Sequence, residues 1–380
     1  MKRLWLMVMV LFLALGNSSV GLAEWAGVEL PAVTGPYGVG TVVLPMVDSG
    51  RPGVYADGTS SKHREFMTQI WYPANKGVDG PKSTYMDEAT AEYMLKGVSI
   101  PGVDKNIRFQ IKTYGVIGAQ AAAGNERFPV LIFSPGWGMN YSVYQSILED
   151  LASHGYIVVG VNSPNSAGIT VFPDGHYHVM PTINEKEEEE YLSNHFQEIT
   201  DDLRFVVKRL PLIDSNPSLP LAGRIDFGRV GALGHSYGGA AAVEAGIESL
   251  WLGAVVNLDG SLWGEDYKKA ISKPMMMVCS DREDVTMQTI WANLPKRSYQ
   301  VWVKGMDHMS FSDLMLITKA MGQSLATNPN PIDPLRGIQI SRDLVRTFFD
   351  TNLKHANSNQ MDKISREYQE VKIEEKHAGR

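Results

Sequence analysis

Short apolar runs rich in β-branched residues alternate along this chain with stretches of helical spacing, the pattern of a mostly parallel sheet with helices on both faces. Thr41–Val47 and Phe66–Tyr72 read as two opening strands forming an antiparallel edge. Val130–Phe133 reads as a buried strand. Asn140 is placed to cap the next helix, whose apolar positions Tyr144, Ile147, Leu148 and Leu151 keep helical spacing until Gly155 stops it. Tyr156–Val161 predicts another strand, and Ile199, Leu203, Val206, Val207 and Leu210 mark an amphipathic helix. Further strands are expected at Val230–Leu233, Ala254–Leu258, Met275–Val278 and Tyr299–Val303, with a small-residue helix over 238–246 and a closing helix over 340–349. The charged residues from Asn357 onwards predict a loose tail. Two stretches, 75–127 and 163–197, exceed ordinary loop length and show little periodicity, as lids and binding walls do. Within the second, the run Glu185–Glu190 reads as the first turns of a solvated helix. The division expected is a leader over 1–23, one α/β domain over 24–356 with insertions near 75–127 and 163–197, and a tail over 357–380.

The leader changes the setting. Lys2 and Arg3 precede an apolar run from Leu4 to Leu15, and Gly21-Leu22-Ala23 supplies small residues where a signal peptidase cuts. The run is shorter than the ~20 residues a membrane span needs. The expectation is a secreted or periplasmic protein with no stable membrane insertion after cleavage. The net charge of −7 makes nucleic acid and anionic membranes poor partners by charge alone. The single cysteine, Cys279, lies in an apolar run, reads as a buried thiol, and cannot form an intramolecular disulfide.

Chemistry enters at Gly234-His235-Ser236-Tyr237-Gly238, a G-x-S-x-G sequence between an apolar strand and a small-residue helix. That context is a nucleophile elbow, which holds a serine on a tight strand-to-helix turn where glycines avoid backbone collisions. A serine hydroxyl needs a base to remove its proton. In a fold of this kind the order along the chain is serine, acid, histidine. His308 follows the turn Lys304-Gly305 after the last predicted strand, whereas His355 and His377 lie in or near the tail, so His308 is the expected base. His235 is expected to face away from the hydroxyl in a structural role. Three acids compete for the third position: Asp259 at the end of one strand, and Asp281 and Asp284 after the next. The loop Ser134-Pro135-Gly136-Trp137-Gly138 is placed to supply an oxyanion donor, giving the backbone N–H groups of Trp137 and Tyr237 that role, with both aromatic side chains lining the cleft. His176 and His178 beside Asp174 form one short H-x-H without a third placed ligand, so no metal and no cofactor is expected.

Several segments together resemble the plasma-type platelet-activating-factor acetylhydrolases and their bacterial relatives. They are Gly234–Gly239, Phe133–Gly138, Leu151–Val158, Gly35–Gly40 and Gln69–Ala74, spread over residues 35–350. The resemblance implies an α/β-hydrolase fold and a calcium-independent ester hydrolase acting on short or oxidised acyl chains, near lipases and polyester hydrolases. It also implies that the acid is Asp259. The substrate expected is a small-molecule or lipid ester. Other readings of the same residues are an amidase or peptidase using the same triad, and a non-catalytic binding protein on a hydrolase scaffold.

Overall fold

The computed structural model describes residues 27–96, 103–269, 271–280, 284–295, 297–357 and 359–376; the signal-peptide expectation over 1–23, and Asp281, lie outside them. A ten-stranded sheet organises the chain. In chain order its strands are β1 (Gly38–Asp48), β2 (Arg64–Ala74), β3 (Val116–Ile117), β4 (Phe128–Ser134), β5 (Ile157–Asn162), β6 (Ile225–His235), β7 (Leu252–Leu258), β8 (Met275–Cys279), β9 (Tyr299–Val303) and β10 (Val371–Glu375). Across the sheet they run β10-β9-β8-β7-β6-β4-β5-β2-β1-β3. The six from β9 to β5 are mutually parallel. β1 and β2 form the expected antiparallel pair, in register from Gly38 opposite Ala74 to Asp48 opposite Arg64. This is the mostly parallel sheet with helices on both faces that the alternating pattern predicts, and it agrees with the α/β-hydrolase fold that the resemblance implies.

The parallel strands are apolar on both sides because both sides are covered. Leu131, Phe133, Val158, Leu233 and Val256 enter the core on one face, and Val130, Ile132, Val159, Ala232 and Val255 enter it on the other. The first face packs against α1 (Gln145–Ser153) and α5 (Pro334–Leu353), the second against α2 (Glu188–Ser215) and α3 (Ser236–Glu248). Asn140 accepts the Ser142 N–H at 3.0 Å, so it caps a 3₁₀ turn over Tyr141–Tyr144 that leads into α1. Gly155, at φ 89°, then ends the turn after α1, a left-handed conformation that a side chain would disfavour. Cys279 is buried.

The insertions are more structured than their weak periodicity suggests. Residues 75–127 include short helices over Glu88–Met94 and Ile107–Gln110, and 163–197 include a hairpin of Ile169–Val171 and Tyr177–Val179 before α2. The acidic run supplies the first turn of α2 through Glu188, Glu189 and Glu190, where negative charge suits the helix dipole. Inside α2, Asp202 is fully buried and is held by Arg64 at 2.8 Å and Arg51 at 2.7 Å. Two guanidinium partners offset its desolvation and tie α2 to the start of β2.

The tail differs from its expectation. Residues 360–367 form α6 (Gln360–Glu367), and β10 pairs antiparallel with β9, Val371 opposite Val303. The charged residues mask a thin apolar stripe: Met361, Ile364, Tyr368 and Val371 are all buried while their neighbours face water.

One buried pair of carboxylates makes the fold pH-sensitive. Complete burial in α1 pushes Glu149 up to about 7, although it accepts N–H bonds from Tyr114 and Gly115. Burial likewise raises Asp313 to about 6, against bonds from Ser146 and Tyr85 that favour its charged form. Both groups hold a proton more tightly folded than unfolded. Their stabilising contribution is therefore complete below their unfolded values, at about pH 4, and is lost as pH rises through about 6 to 7. Glu149→Gln should flatten the decline in unfolding free energy between about pH 4.5 and 7.5, measured by urea titration at a series of pH values; an unchanged slope would remove Glu149 from this account.

Candidate active site

The site lies at the carboxyl ends of the parallel strands, where loops from neighbouring strands converge. β6 ends at His235, and α3 starts at Ser236. Ser236 occupies a left-handed conformation, φ 55°, unusual for a residue with a side chain. The glycines around it are fixed by backbone crowding. A Cβ at Gly234 would lie 2.3 Å from the Gly238 carbonyl oxygen, and one at Gly238 would lie 2.2 Å from that of Pro135. The turn therefore closes to a distance only hydrogen atoms allow, and it aims the Ser236 hydroxyl off the sheet edge.

His308 arrives from the far side. After β9, Gly305 reverses the chain at φ 81°, and Asp307 caps a 3₁₀ turn over His308–Phe311 in a box with Ser310. The Asp307 carboxylate also accepts N–H bonds from Thr327 at 3.2 Å and Asn328 at 2.8 Å, which anchors the segment that presents the imidazole. His308 Nε2 lies 2.9 Å from Ser236 Oγ, and Nδ1 lies 2.6 Å from Asp259 Oδ2.

Asp259 follows β7 directly. It is fully buried and also left-handed, at φ 56°. The Ser280 N–H donates to its Oδ1 at 2.8 Å and the Ser280 hydroxyl to Oδ2 at 2.9 Å, and both bonds favour the charged carboxylate. Behind it, the Asn257 amide closes the turn: its Nδ2 donates to the Gly260 carbonyl at 2.7 Å, and its Oδ1 accepts the Gly260 N–H at 2.9 Å. Gly260 itself is pressed against the Ser236 carbonyl, which a Cβ would approach to 2.1 Å. The competing Asp284 is engaged elsewhere. Its side chain accepts the Thr286 and Met287 N–H groups, capping α4 (Val285–Asn293).

The loop after β4 lies against the elbow, with Gly136 so near that an added Cβ would sit 3.3 Å from Ser236 Cβ. Its N–H groups are engaged at Gly136, Gly138 and Met139, by Tyr144 Oη, the Ser166 carbonyl and the Gly136 carbonyl. Between them the Trp137 N–H has no acceptor among the described residues. Tyr237 stands in the first turn of α3, where N–H groups lack an intrahelical acceptor. The expectation that both aromatic side chains line the cleft is not met. Tyr237 is fully buried, its hydroxyl bonded to the Leu192 carbonyl, and Trp137 packs in the core near Tyr191. Both rings face α2: the elbow turns Tyr237 towards Leu192, and the loop after β4 turns Trp137 towards Tyr191.

The residues that the motifs single out, Ser236, His308 and Asp259, are thus drawn into one hydrogen-bonded line. Asn257 and Ser280, which hold the acid, escaped the sequence reading. Their only signal was a polar side chain at the carboxyl end of an apolar strand. His176 and His178 sit apart on the hairpin: His176 Nδ1 is 2.5 Å from Asp174, and His178 stacks on Tyr55 with Nδ1 3.0 Å from Asp57. Among the described residues no group of three or more His, Cys, Asp or Glu side chains is arranged to hold a metal ion.

Comparison with known proteins gives this geometry a family. A probable 1-alkyl-2-acetylglycerophosphocholine esterase of Arthroderma benhamiae is 24% identical, with 90% of this chain and 92% of the relative covered. The platelet-activating factor acetylhydrolase of Cavia porcellus is 24% identical, covering 82% of this chain and 75% of its own. Among solved structures, a ferulic acid esterase from Streptomyces cinnamoneus superposes with a TM-score of 0.75 at 26% identity, over 92% of this chain and 99% of that one. The family model for platelet-activating factor acetylhydrolase, isoform II, matches residues 22–214 and 206–371. With nearly the whole described chain matched, the protein belongs to the platelet-activating factor acetylhydrolase isoform II family of carboxylic ester hydrolases.

Proposed function

We propose that the chain is an exported serine esterase that cleaves short-chain or lipid-like esters through an acyl-enzyme. The observation that carries this reading is the continuous line Ser236 Oγ, His308 Nε2, His308 Nδ1, Asp259 Oδ2, with separations of 2.9 and 2.6 Å, on an elbow beside the Trp137 N–H. His308 accepts the Ser236 proton as Oγ attacks the ester carbonyl. Asp259 holds the imidazole in the tautomer that leaves Nε2 free to accept, and balances the imidazolium that forms. The Trp137 and Tyr237 N–H groups bind the oxygen on which negative charge develops. His308 then protonates the departing alkoxide, and water attacks the acyl-enzyme by the same proton transfers in reverse. Nothing in this sequence calls on a metal. That the relatives include a probable 1-alkyl-2-acetylglycerophosphocholine esterase, a platelet-activating factor acetylhydrolase and a ferulic acid esterase supports an ester substrate of modest acyl size. Export rests on the charge and apolar pattern of residues 1–23; among the described residues no helix is long and apolar enough to cross a membrane.

Ser236→Ala should lower kcat/KM on p-nitrophenyl acetate by at least about a thousandfold, since loss of a nucleophile removes a whole covalent route, with the thermal transition little changed. Activity within tenfold of the parent would defeat the assignment, as would a fluorophosphonate that labels another residue.

The acid is tested by two asparagines. Asp259→Asn should keep the shape of the site but favour the wrong imidazole tautomer, reducing turnover by on the order of 10⁴. Asp284→Asn should leave turnover near the parent value and destabilise the fold by at most about 1 kcal/mol, since asparagine also caps helices well. The reverse outcome would transfer the acid's role to Asp284.

A further inference from the structure

His235 takes no part in the proton transfers above, yet it is almost wholly buried between the two halves of the site. Its Nε2 lies 2.8 Å from the main-chain carbonyl of His308. A carbonyl can only accept, so Nε2 carries the hydrogen. In the neutral ring Nδ1 then has a lone pair, and the Tyr144 hydroxyl, 2.8 Å away, donates to it. The Tyr144 oxygen in turn accepts the Gly136 N–H at 3.2 Å. Every donor and acceptor in this series has one consistent role: Gly136 N–H to Tyr144 Oη, Tyr144 O–H to His235 Nδ1, His235 Nε2–H to His308 O. The His235 and His308 rings also lie face to tilted face, centroids 4.6 Å apart at 39°.

We infer that His235 and Tyr144 are a positioning pair that sets the loop bearing the Trp137 N–H and the base His308 at a fixed distance from each other. The inference rests on the esterase reading above. Gly136 immediately precedes Trp137, so anchoring its N–H fixes the plane of the peptide unit leading into the proposed oxyanion donor. At the other end, the carbonyl held is that of the residue whose imidazole must meet Ser236. A second tether keeps the arrangement from pivoting. Asp313, five residues beyond His308, donates its N–H to the Val143 carbonyl at 2.7 Å, and its carboxylate accepts from the Ser146 hydroxyl and N–H on the other side of Tyr144. The segment carrying Tyr144 and the segment carrying His308 are thus bound through Asp313 as well as through His235, and the link through His235 and Tyr144 reaches the oxyanion loop. An elbow needs its glycines for space; it needs an imidazole at 235 only if both ring nitrogens are used.

The test compares four variants with the parent on p-nitrophenyl acetate. Tyr144→Phe removes one oxygen, and His235→Leu removes both ring contacts. Glutamine in His235→Gln can return a donor to the His308 carbonyl. Ser236→Ala checks the underlying reading. Misplacing a catalytic group by a fraction of an ångström to an ångström costs tens of fold or more in turnover. Tyr144→Phe and His235→Leu should each lower kcat about tenfold or more with KM within about twofold, and His235→Gln should recover most of the kcat lost in His235→Leu. Thermal melting of each variant identifies any that fail to fold, and Tyr144→Phe, which keeps the buried ring, carries the decision if His235→Leu does not. If Tyr144→Phe retains kcat within about threefold, or KM changes as much as kcat, or glutamine does no better than leucine, the pair only fills space and the inference is wrong. Full activity in Ser236→Ala would instead overturn the esterase reading itself.

Discussion

Everything at this site depends on how closely backbone can approach backbone around Ser236. Three glycines, at 234, 238 and 260, face carbonyl oxygens at distances where a Cβ would overlap them, and the serine between two of them is held at φ 55°. A left-handed serine is unfavourable by itself and persists only where its surroundings over-determine it. Here they do: the hydrogen-bonded ladder of β6 to β4 and β7 fixes the chain on entry, α3 fixes it on exit, and the Asp259–Gly260 turn presses from the side. The strain is borne by the parallel sheet, and the gain is a hydroxyl raised clear of the strand ends with a helix N-terminus behind it.

The same logic applies to the acid. Asp259 has nearly the same left-handed dihedral as Ser236, one strand along the sheet. It is braced by Asn257 from its own turn and by Ser280 from the next strand. The buried carboxylate has its charge shared among Ser280 and His308, so burial does not leave it unpaired. The donor groups come from the ends of adjacent parallel strands, and the spacing of the sheet sets the spacing of the side chains.

Much of this was legible in the sequence, for reasons particular to each element. The buried strands announce themselves because both faces are apolar, and the elbow because its glycines have no substitute. His308 was legible from chain order and from the turn before it. Asp259 was not separable from Asp284 by pattern, since both follow strands; what separates them is that Thr286 and Met287 claim Asp284 as a helix cap, a local fact that a sequence shows only once the helix start is known. The orientation of Trp137 and Tyr237 was misread because an aromatic residue in a motif invites a binding role, whereas the loop after β4 directs one ring into the core and the elbow directs the other. The C-terminal segment was misread because charge outweighs four apolar positions in any average over the window. The link through Tyr144 was invisible, since it joins residues 91 apart whose side chains meet only after the sheet has formed.

The placement of β10 has a consequence for the order in which the molecule can be completed. β9 leads directly into the segment that carries His308, and its outer edge is covered by residues 371–375, some seventy positions further along the chain. During synthesis, all five strands from β4 to β8 can be in place while β9 still presents an open edge to other chains. β10 is synthesised after every other strand of the sheet, so a chain cut short before residue 371 would keep the elbow and lose the cover on the sheet beside His308.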